Sequence, residues 1–310
     1  MAPAGGGSNH QGLHDKGPQP VPRPVAMALR IATWNVNSVR TRLDQVCAWL
    51  QAEAPDVLCL QETKVADDLF PHAAFEALGY RAVISGQKAY NGVAILSRQP
   101  IEDVRVGFAA LLPGDSAAVE LGEQKRVISA WIEGVRVLNL YVPNGSSLTS
   151  LKYPYKLEWL ACLRRYLEAQ DAQGEPLAMV GDFNIALEAR DIHDPERLSG
   201  GIMASEPERQ ALRDALGDRL EDVFRVFEPD AGHWSWWDYR TGAWDRDMGW
   251  RIDHIYLSEE LLACAIGCVI HRDQRGNEQP SDHAPVTVRL AWPPEPAQDG
   301  DGEGDDAGGW

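Results

Sequence analysis

The chain has 310 residues, 44% of them hydrophobic, and a formal net charge of −17 at pH 7. That length allows one large domain or two small ones with a substantial core, and the acidic balance excludes indiscriminate polyanion binding. No run of eighteen apolar residues occurs, so no membrane-spanning helix is expected.

Residues 1–28 are rich in Gly and Pro and lack the apolar stretch of a signal peptide. Residues 293–310 carry six acids and no base. Neither end buries enough apolar area to order itself, so both read as disordered extensions of one catalytic domain over 29–292. Leu29–Val36 reads as a strand. Leu43, Val46, Cys47 and Leu50 then fall at helical spacing, and Pro55 marks the exit. Strands follow at 57–60, 82–84, 93–96, 127–132 and 135–142. Leu157, Leu160, Leu163 and Leu167 mark a second helix, and 177–180 is a buried strand. Ser205-Glu206-Pro207-Glu208 is a capping box opening a helix to about Leu216. Runs at 252–257 and 286–290 close the series. Hairpin-like strands mixed with interspersed helices point to a two-sheet α/β sandwich rather than a regular βαβ repeat. The five cysteines form no CxxC pair, and Cys47, Cys59 and Cys162 lie in apolar stretches. Reduced thiols in a cytoplasmic protein are expected.

Five polar clusters follow or close the strand-like runs: Thr33–Asn37, Gln61–Lys64, Gly181–Asn184, Arg251–Asp253 and Ser281–His283. Together they supply carboxylates, side-chain amides and one histidine, the inventory for a hard divalent cation and an activated water. Glu62 at a strand end suits a magnesium ligand, although a lone strand-end glutamate is more often solvated. Asn35 alone would more often terminate a strand. Asp182 and Asn184, spaced i, i+2 after a glycine, suit water activation and a phosphate contact, or a turn held by Asx hydrogen bonds. His283 needs an acid to fix its tautomer, and Asp253 is the candidate. Asp282 either reaches the metal or holds the loop.

The order of the clusters, with Tyr141-Val142-Pro143-Asn144-Gly145 between the second and third, resembles the endonuclease/exonuclease/phosphatase superfamily over about residues 29–291. Within it the chain is similar to the exonuclease III family of apurinic/apyrimidinic endonucleases. That resemblance implies a four-layer α/β sandwich, two mixed sheets flanked by helices. It makes Glu62 the principal metal ligand, with Asn35 and Asp282 near the metal, and Mg2+ (or Mn2+) the cofactor. Tyr141 would contact the scissile phosphate, Asp182 would activate the nucleophile, Asn184 would orient it, and Asp253 would partner His283. The implied reaction is cleavage 5′ to abasic sites in double-stranded DNA, with exonuclease and phosphatase action at 3′ ends, by a monomer.

Trp234-Ser235-Trp236-Trp237-Asp238-Tyr239-Arg240 discriminates among substrates of the superfamily. Its aromatics pack a core, or sit beside an unstacked or missing base. The resemblance makes Trp236 and Trp237 walls of an abasic pocket, joined by Tyr239 and Arg240, with Lys64, Asn144 and Lys152 on DNA. A local basic groove of Lys64, Lys88, Arg126, Lys152, Lys156, Arg240 and Arg251 is expected to offset the acidic total. Between Tyr141 and Lys152 there is no arginine or histidine, where the family often carries a base. The alternatives are a phosphatase or phosphodiesterase for a non-DNA ester and a non-catalytic DNA-binding protein.

Overall fold

The structure is a computed structural model that describes residues 28–294. The expected disordered extensions fall almost wholly outside the described residues. Ala28, assigned to the N-terminal one, instead opens the first strand and pairs with Ala291. The described part contains twelve strands in two six-stranded sheets. In chain order they are β1 (Ala28–Asn35), β2 (Val57–Gln61), β3 (Arg81–Ser85), β4 (Val93–Ser97), β5 (Glu102–Val106) and β6 (Val127–Ile132). The second half supplies β7 (Val135–Tyr141), β8 (Leu177–Asp182), β9 (Glu221–Asp222), β10 (Asp253–Leu257), β11 (Ala265–Ile270) and β12 (Val286–Ala291).

One sheet runs β11-β12-β1-β2-β4-β3, the other β5-β6-β7-β8-β10-β9. Each has one parallel pair at its centre, β1 with β2 and β7 with β8, and every other pairing is antiparallel. Strands β2, β4 and β8 are buried at every position, because both faces of each sheet are covered. Such strands read as continuous apolar runs rather than alternation. Ile31, Cys59, Ile95, Val137, Val180 and Val288 belong to the core between the sheets. The outer face of the first sheet packs under the helix Leu43–Glu53 through Trp34, Val46, Trp49 and Leu50. That of the second packs under the helices Lys152–Asp171 and Glu206–Leu216. The layers are therefore helix, sheet, sheet, helix, as expected. The expected capping box is present, with Ser205 and Glu208 each accepting from the other's backbone.

Strands β5, β9 and β11 were not among the expected elements. β5 and β11 are edge strands, four of the five β5 residues are exposed, and β11 carries an irregularity between Ala265 and Gly267. The β5 sequence carries little apolar signal because most of it faces solvent, and β9 is two acids, whereas β11 is apolar in sequence although its edge position leaves Ile266 and Val269 exposed.

The topology brings the polar clusters together. In the parallel pairs Asn35 is level with Gln61 and Tyr141 with Asp182. β10, antiparallel to β8, begins with Asp253 opposite Asp182. β12 enters beside Thr33, so His283 stands just before the same edge. Gly181 lets β7 and β8 approach here: at φ +149°, a Cβ would lie 2.0 Å from the Leu140 carbonyl oxygen.

Candidate active site

Asn35 is the hub. Its Nδ2 donates to Glu62 Oε1 at 2.9 Å and to Asp182 Oδ2 at 2.8 Å, and its Oδ1 accepts from the Asn37 N–H. The Tyr141 hydroxyl donates to the same Glu62 oxygen at 2.9 Å. The Arg126 guanidinium lies 4.5 Å over the Tyr141 ring centre. Lys64 pairs with Glu62 Oε2 at 2.7 Å and also donates to Asn37 Oδ1. Burial alone would raise the Glu62 carboxyl. The Lys64 charge and the hydrogen bonds from Asn35 and Lys64 outweigh it and hold the group below its usual value.

Asp182 is 1% exposed. Its Oδ1 accepts the Asn184 backbone N–H at 2.9 Å, and its Oδ2 accepts the Asn184 side-chain amide at 3.1 Å. Burial first, and then the charges of Asp253 and Glu62, push this carboxyl up against the pull of His283 and Asn35. His283 Nδ1 donates to Asp253 Oδ2 at 2.8 Å, and its Nε2 stands 3.8 Å from Asp182 Oδ2. Burial opposes charge on this imidazole, but Asp253 and Asp182 override it and push its pKa up to about 10. Trp34 Nε1 donates to the His283 carbonyl, and Ser281 Oγ bridges Asn35 O and His283 N. Asn37, Glu62, Lys64 and Asn184 all take positive φ between 44° and 53°. Such conformations cost about 1 kcal/mol or more each, and they gather where the surroundings over-determine the backbone.

The remaining expected residues divide. Asn144 donates to Asn184 Oδ1 at 2.8 Å. Asp282 accepts from Asn37 Nδ2 and Trp236 Nε1, so it joins Glu62 indirectly, through Asn37 and then Lys64 or Asn35. Trp236 walls a cavity of about 300 Å3 together with Trp250, Met203 and Met248. Trp237 does not: it is 0% exposed, packed edge-on to Trp244, because alternate side chains of an extended segment point to opposite faces. Tyr239 is exposed with its hydroxyl on the Pro280 carbonyl, and Arg240 extends into solvent paired with Asp238. Neither lines the cavity. Lys152 instead lines a groove beside Tyr141.

Two members of the expected basic groove are internal. Lys156 is wholly buried against Glu208 at 2.6 Å, and Arg251 is buried between Asp191 and Asp222. Neither is available to a polyanion.

Residues outside the expected set complete the site. Ser235 Oγ donates to Asp253 Oδ2 at 2.7 Å and accepts from the backbone N–H groups of Ile252 and Asp253. It was the only hydroxyl among the tryptophans. Trp250 exchanges two backbone hydrogen bonds with Trp236, while Ser235 O and Trp237 N pair with Ala284 and Asp282. The tryptophan segment thus clamps the Asp253 and His283 segments together. Trp250 directly precedes the Arg251–Asp253 cluster, which was the available signal.

Two sets of donors are candidates to hold a cation. Asp182, Asp253 and His283 have donor atoms within 4.8 Å of one another. An imidazole that is both charged and tied through Nδ1 is a poor ligand, so this group suits proton handling. The Glu62 carboxylate, ionised and already partnered by one ammonium, is a hard oxygen donor of the kind that holds a largely hydrated divalent ion. Asn35 points its NH2 at Glu62 and so positions that carboxylate.

The model of the endonuclease/exonuclease/phosphatase family matches residues 32–283. Exodeoxyribonuclease III of Haemophilus influenzae is 38% identical over 274 residues, 84% of this chain and all of that protein. An exodeoxyribonuclease of Bacillus subtilis is 33% identical over 268 residues, covering 84% and 99%. Among solved structures, the 3′ phosphatase NExo from Neisseria, bound to a product DNA hairpin, superposes with a TM-score of 0.80 at 42% identity, covering 86% of this chain and all of the other. An AP endonuclease from Archaeoglobus fulgidus gives 0.79 at 40% identity, covering 84% and 99%. With its catalytic-edge clusters, its two-sheet architecture and these matches in agreement, the chain belongs to the endonuclease/exonuclease/phosphatase family.

Proposed function

We propose that this protein is a DNA-repair phosphodiesterase that incises the backbone 5′ to abasic sites and processes 3′ ends of duplex DNA, using a divalent metal, Mg2+ or Mn2+. The observation that carries the reading is the single hydrogen-bonded constellation joining Asn35, Glu62, Tyr141, Asp182 and Asn184, with His283 and Asp253 beside it. The relatives named for exonuclease, 3′ phosphatase and AP endonuclease activity support both reactions.

In this reading Asp182, held by Asn35 and Asn184, takes a proton from a water. The water oxygen forms a bond to phosphorus as the bond to the 3′ oxygen breaks, and the departing 3′ oxygen takes up a proton from solvent. The raised carboxyl pKa makes Asp182 a better proton acceptor than a solvated aspartate. His283, kept cationic by Asp253, offers its Nε2–H to a phosphate oxygen. Glu62, with Asp282 nearby, is the residue to hold the metal. A bound divalent ion supplies Lewis-acid neutralisation of charge on the phosphate and the departing oxygen. Products are a 3′-hydroxyl and a 5′-deoxyribose phosphate. Trp236 and Trp250 form the walls for the sugar that lacks its base.

Incubation with an abasic-site duplex and a 3′-phosphate duplex, with Mg2+ and with chelator, tests the proposal. Metal-dependent cleavage of both is expected. Intact substrates under every metal condition refute it.

A further inference from the structure

A groove of about 630 Å3 runs away from the catalytic edge, beginning at Tyr141 and Asn144. Its lining carries Arg126 and Lys152 against one carboxylate, Glu123. The two most exposed large apolar side chains among the described residues, Leu151 at 92% and Tyr90 at 70%, both line it. Isolated exposed apolar residues need no explanation. Two of them in one groove, which also holds the active-site tyrosine and an excess of positive charge, do.

Leu151 sits at the start of a long helix. It caps the helix Lys152–Asp171 with φ −61°, and Ser150 Oγ accepts the Lys152 N–H at 3.1 Å. Further back, the Ser146 N–H donates to Asn144 Oδ1, and Asn144 in turn holds Asn184. Hydrogen bonds thus link the start of the loop that presents Leu151 to Asn184 and, through it, to Asp182. On the other side, Gly92 N–H donates to Lys125 O and Lys64 N–H to Asn91 O, which ties the Tyr90 loop to both Arg126 and Glu62 neighbours.

We propose that Leu151 and Tyr90 are base-contacting residues that hold the substrate strand beside the scissile phosphate with its bases unstacked, Leu151 as an apolar wedge and Tyr90 as a stacking platform. This rests on the reading of the protein as a DNA nuclease and names how the strand is gripped. A paired duplex offers these side chains phosphates, sugars and groove edges whose apolar parts are small, chiefly thymine methyls. The flat face of an unstacked base is a broader apolar surface than the thymine methyls and sugar edges of a paired duplex, and both wedge insertion and base–aromatic stacking are tolerant of sequence. Arg126 and Lys152 then neutralise the phosphates of the same strand.

The test uses the full chain in chelator, so that binding is read without cleavage. The probe is a DNA hairpin ending in a 3′-phosphate, with 2-aminopurine next to that end. Wild-type binding is expected to change the probe's fluorescence. Leu151→Ala is expected to remove most of that change and weaken binding about tenfold, with the salt dependence of affinity unaltered. Leu151→Met retains the behaviour, and Tyr90→Phe binds as wild type whereas Tyr90→Ala loses about tenfold. Both side chains are exposed, so unchanged melting temperatures confirm folding. A Leu151→Ala/Tyr90→Ala protein with wild-type affinity and fluorescence overturns the proposal, as does a wild type that binds without any fluorescence change. A wild type that binds with the expected signal but never cuts with Mg2+ refutes the nuclease reading and leaves the grip supported.

Discussion

Breaking the buried Lys156–Glu208 pair is expected to destabilise the protein by an amount that geometry makes calculable. Both side chains are fully buried, and the ammonium donates to Glu208 Oε1 at 2.6 Å, Asn184 O at 2.8 Å and Asn144 O at 3.2 Å. Every contact to the carboxylate is also a donor: Met203 N on Oε1, and Ser205 N and Oγ on Oε2. Burial pulls the lysine below its usual amine value while Glu208 opposes the shift. Glu208→Gln therefore presents an NH2 to donors in either flip and strands a buried cation. Lys156→Met strands the anion and leaves two carbonyls unpaired. Removing one partner of such a pair costs about 3–5 kcal/mol, a large share of the 5–15 kcal/mol typical of a domain, and corresponds to a fall of roughly 10 °C in Tm. Urea unfolding of each single variant and of Lys156→Met/Glu208→Gln gives the cycle. The double variant is expected to cost about 2 kcal/mol less than the sum of the singles. Additive costs, or a Lys156→Met loss below about 1 kcal/mol, refute the reasoning.

Asp182→Asn is expected to lower DNA cleavage by a factor of about 10² to 10⁴ while a DNA-binding titration stays near wild type; near-normal turnover removes Asp182 from its role. Trp237→Ala is expected to cost about 3–5 kcal/mol in urea unfolding. Trp236→Ala, at the half-buried cavity wall, loses abasic incision at least tenfold with a smaller stability change; the reverse pattern would restore Trp237 to the pocket. His254 is buried and stacked on Phe183, with Nε2–H donating to Arg251 O and Nδ1 accepting from the Tyr256 hydroxyl. Burial first, and then the Arg251 charge, push its pKa down to about 4. The unfolded chain thus binds a proton between pH 6.5 and 4 that the folded one refuses. Its contribution of about 3 kcal/mol is present in full above pH 6.5 and is lost as pH falls to about 4. Unfolding curves at pH 7.5 and 4.5 are expected to differ less for His254→Gln than for wild type; an unchanged difference rules out this residue.

The legibility of the sequence followed burial. Strands covered on both faces, such as 57–61 and 177–182, announce themselves as apolar runs, and so do the polar residues that end them. Edge strand 102–106 carries no such signature, since most of it faces solvent, whereas 265–270 is an apolar run whose period alone does not tell strand from helix. The site residues were readable as types at strand ends, and Asp253 was readable as the partner of His283, whereas most other partners were not. Ser235 acts through a hydroxyl whose importance exists only when residues 235 and 253 meet. Charge was the least legible property: Lys156 and Arg251 read as surface bases, yet each is neutralised inside the fold by carboxylates 29 to 60 residues away. Trp236 and Trp237 are adjacent and alike in composition, and only the direction each points separates cavity wall from core.

The pairing of β1 with β12 has a consequence for how such an enzyme comes into being. Residues 28–33 hydrogen-bond to 286–291, so the first strand of the described fold waits, during synthesis, for the last. His283 arrives with that final strand and completes the hydrogen bond to Asp253. In the proposed mechanism a nascent fragment that ends before residue 283 has no imidazole to offer the phosphate, so cleavage is expected only after synthesis has passed β12. The same closure leaves Ala28 and Ala291 side by side, so a short linker joining them and new ends opened in a surface loop give a rearranged protein with every catalytic contact intact.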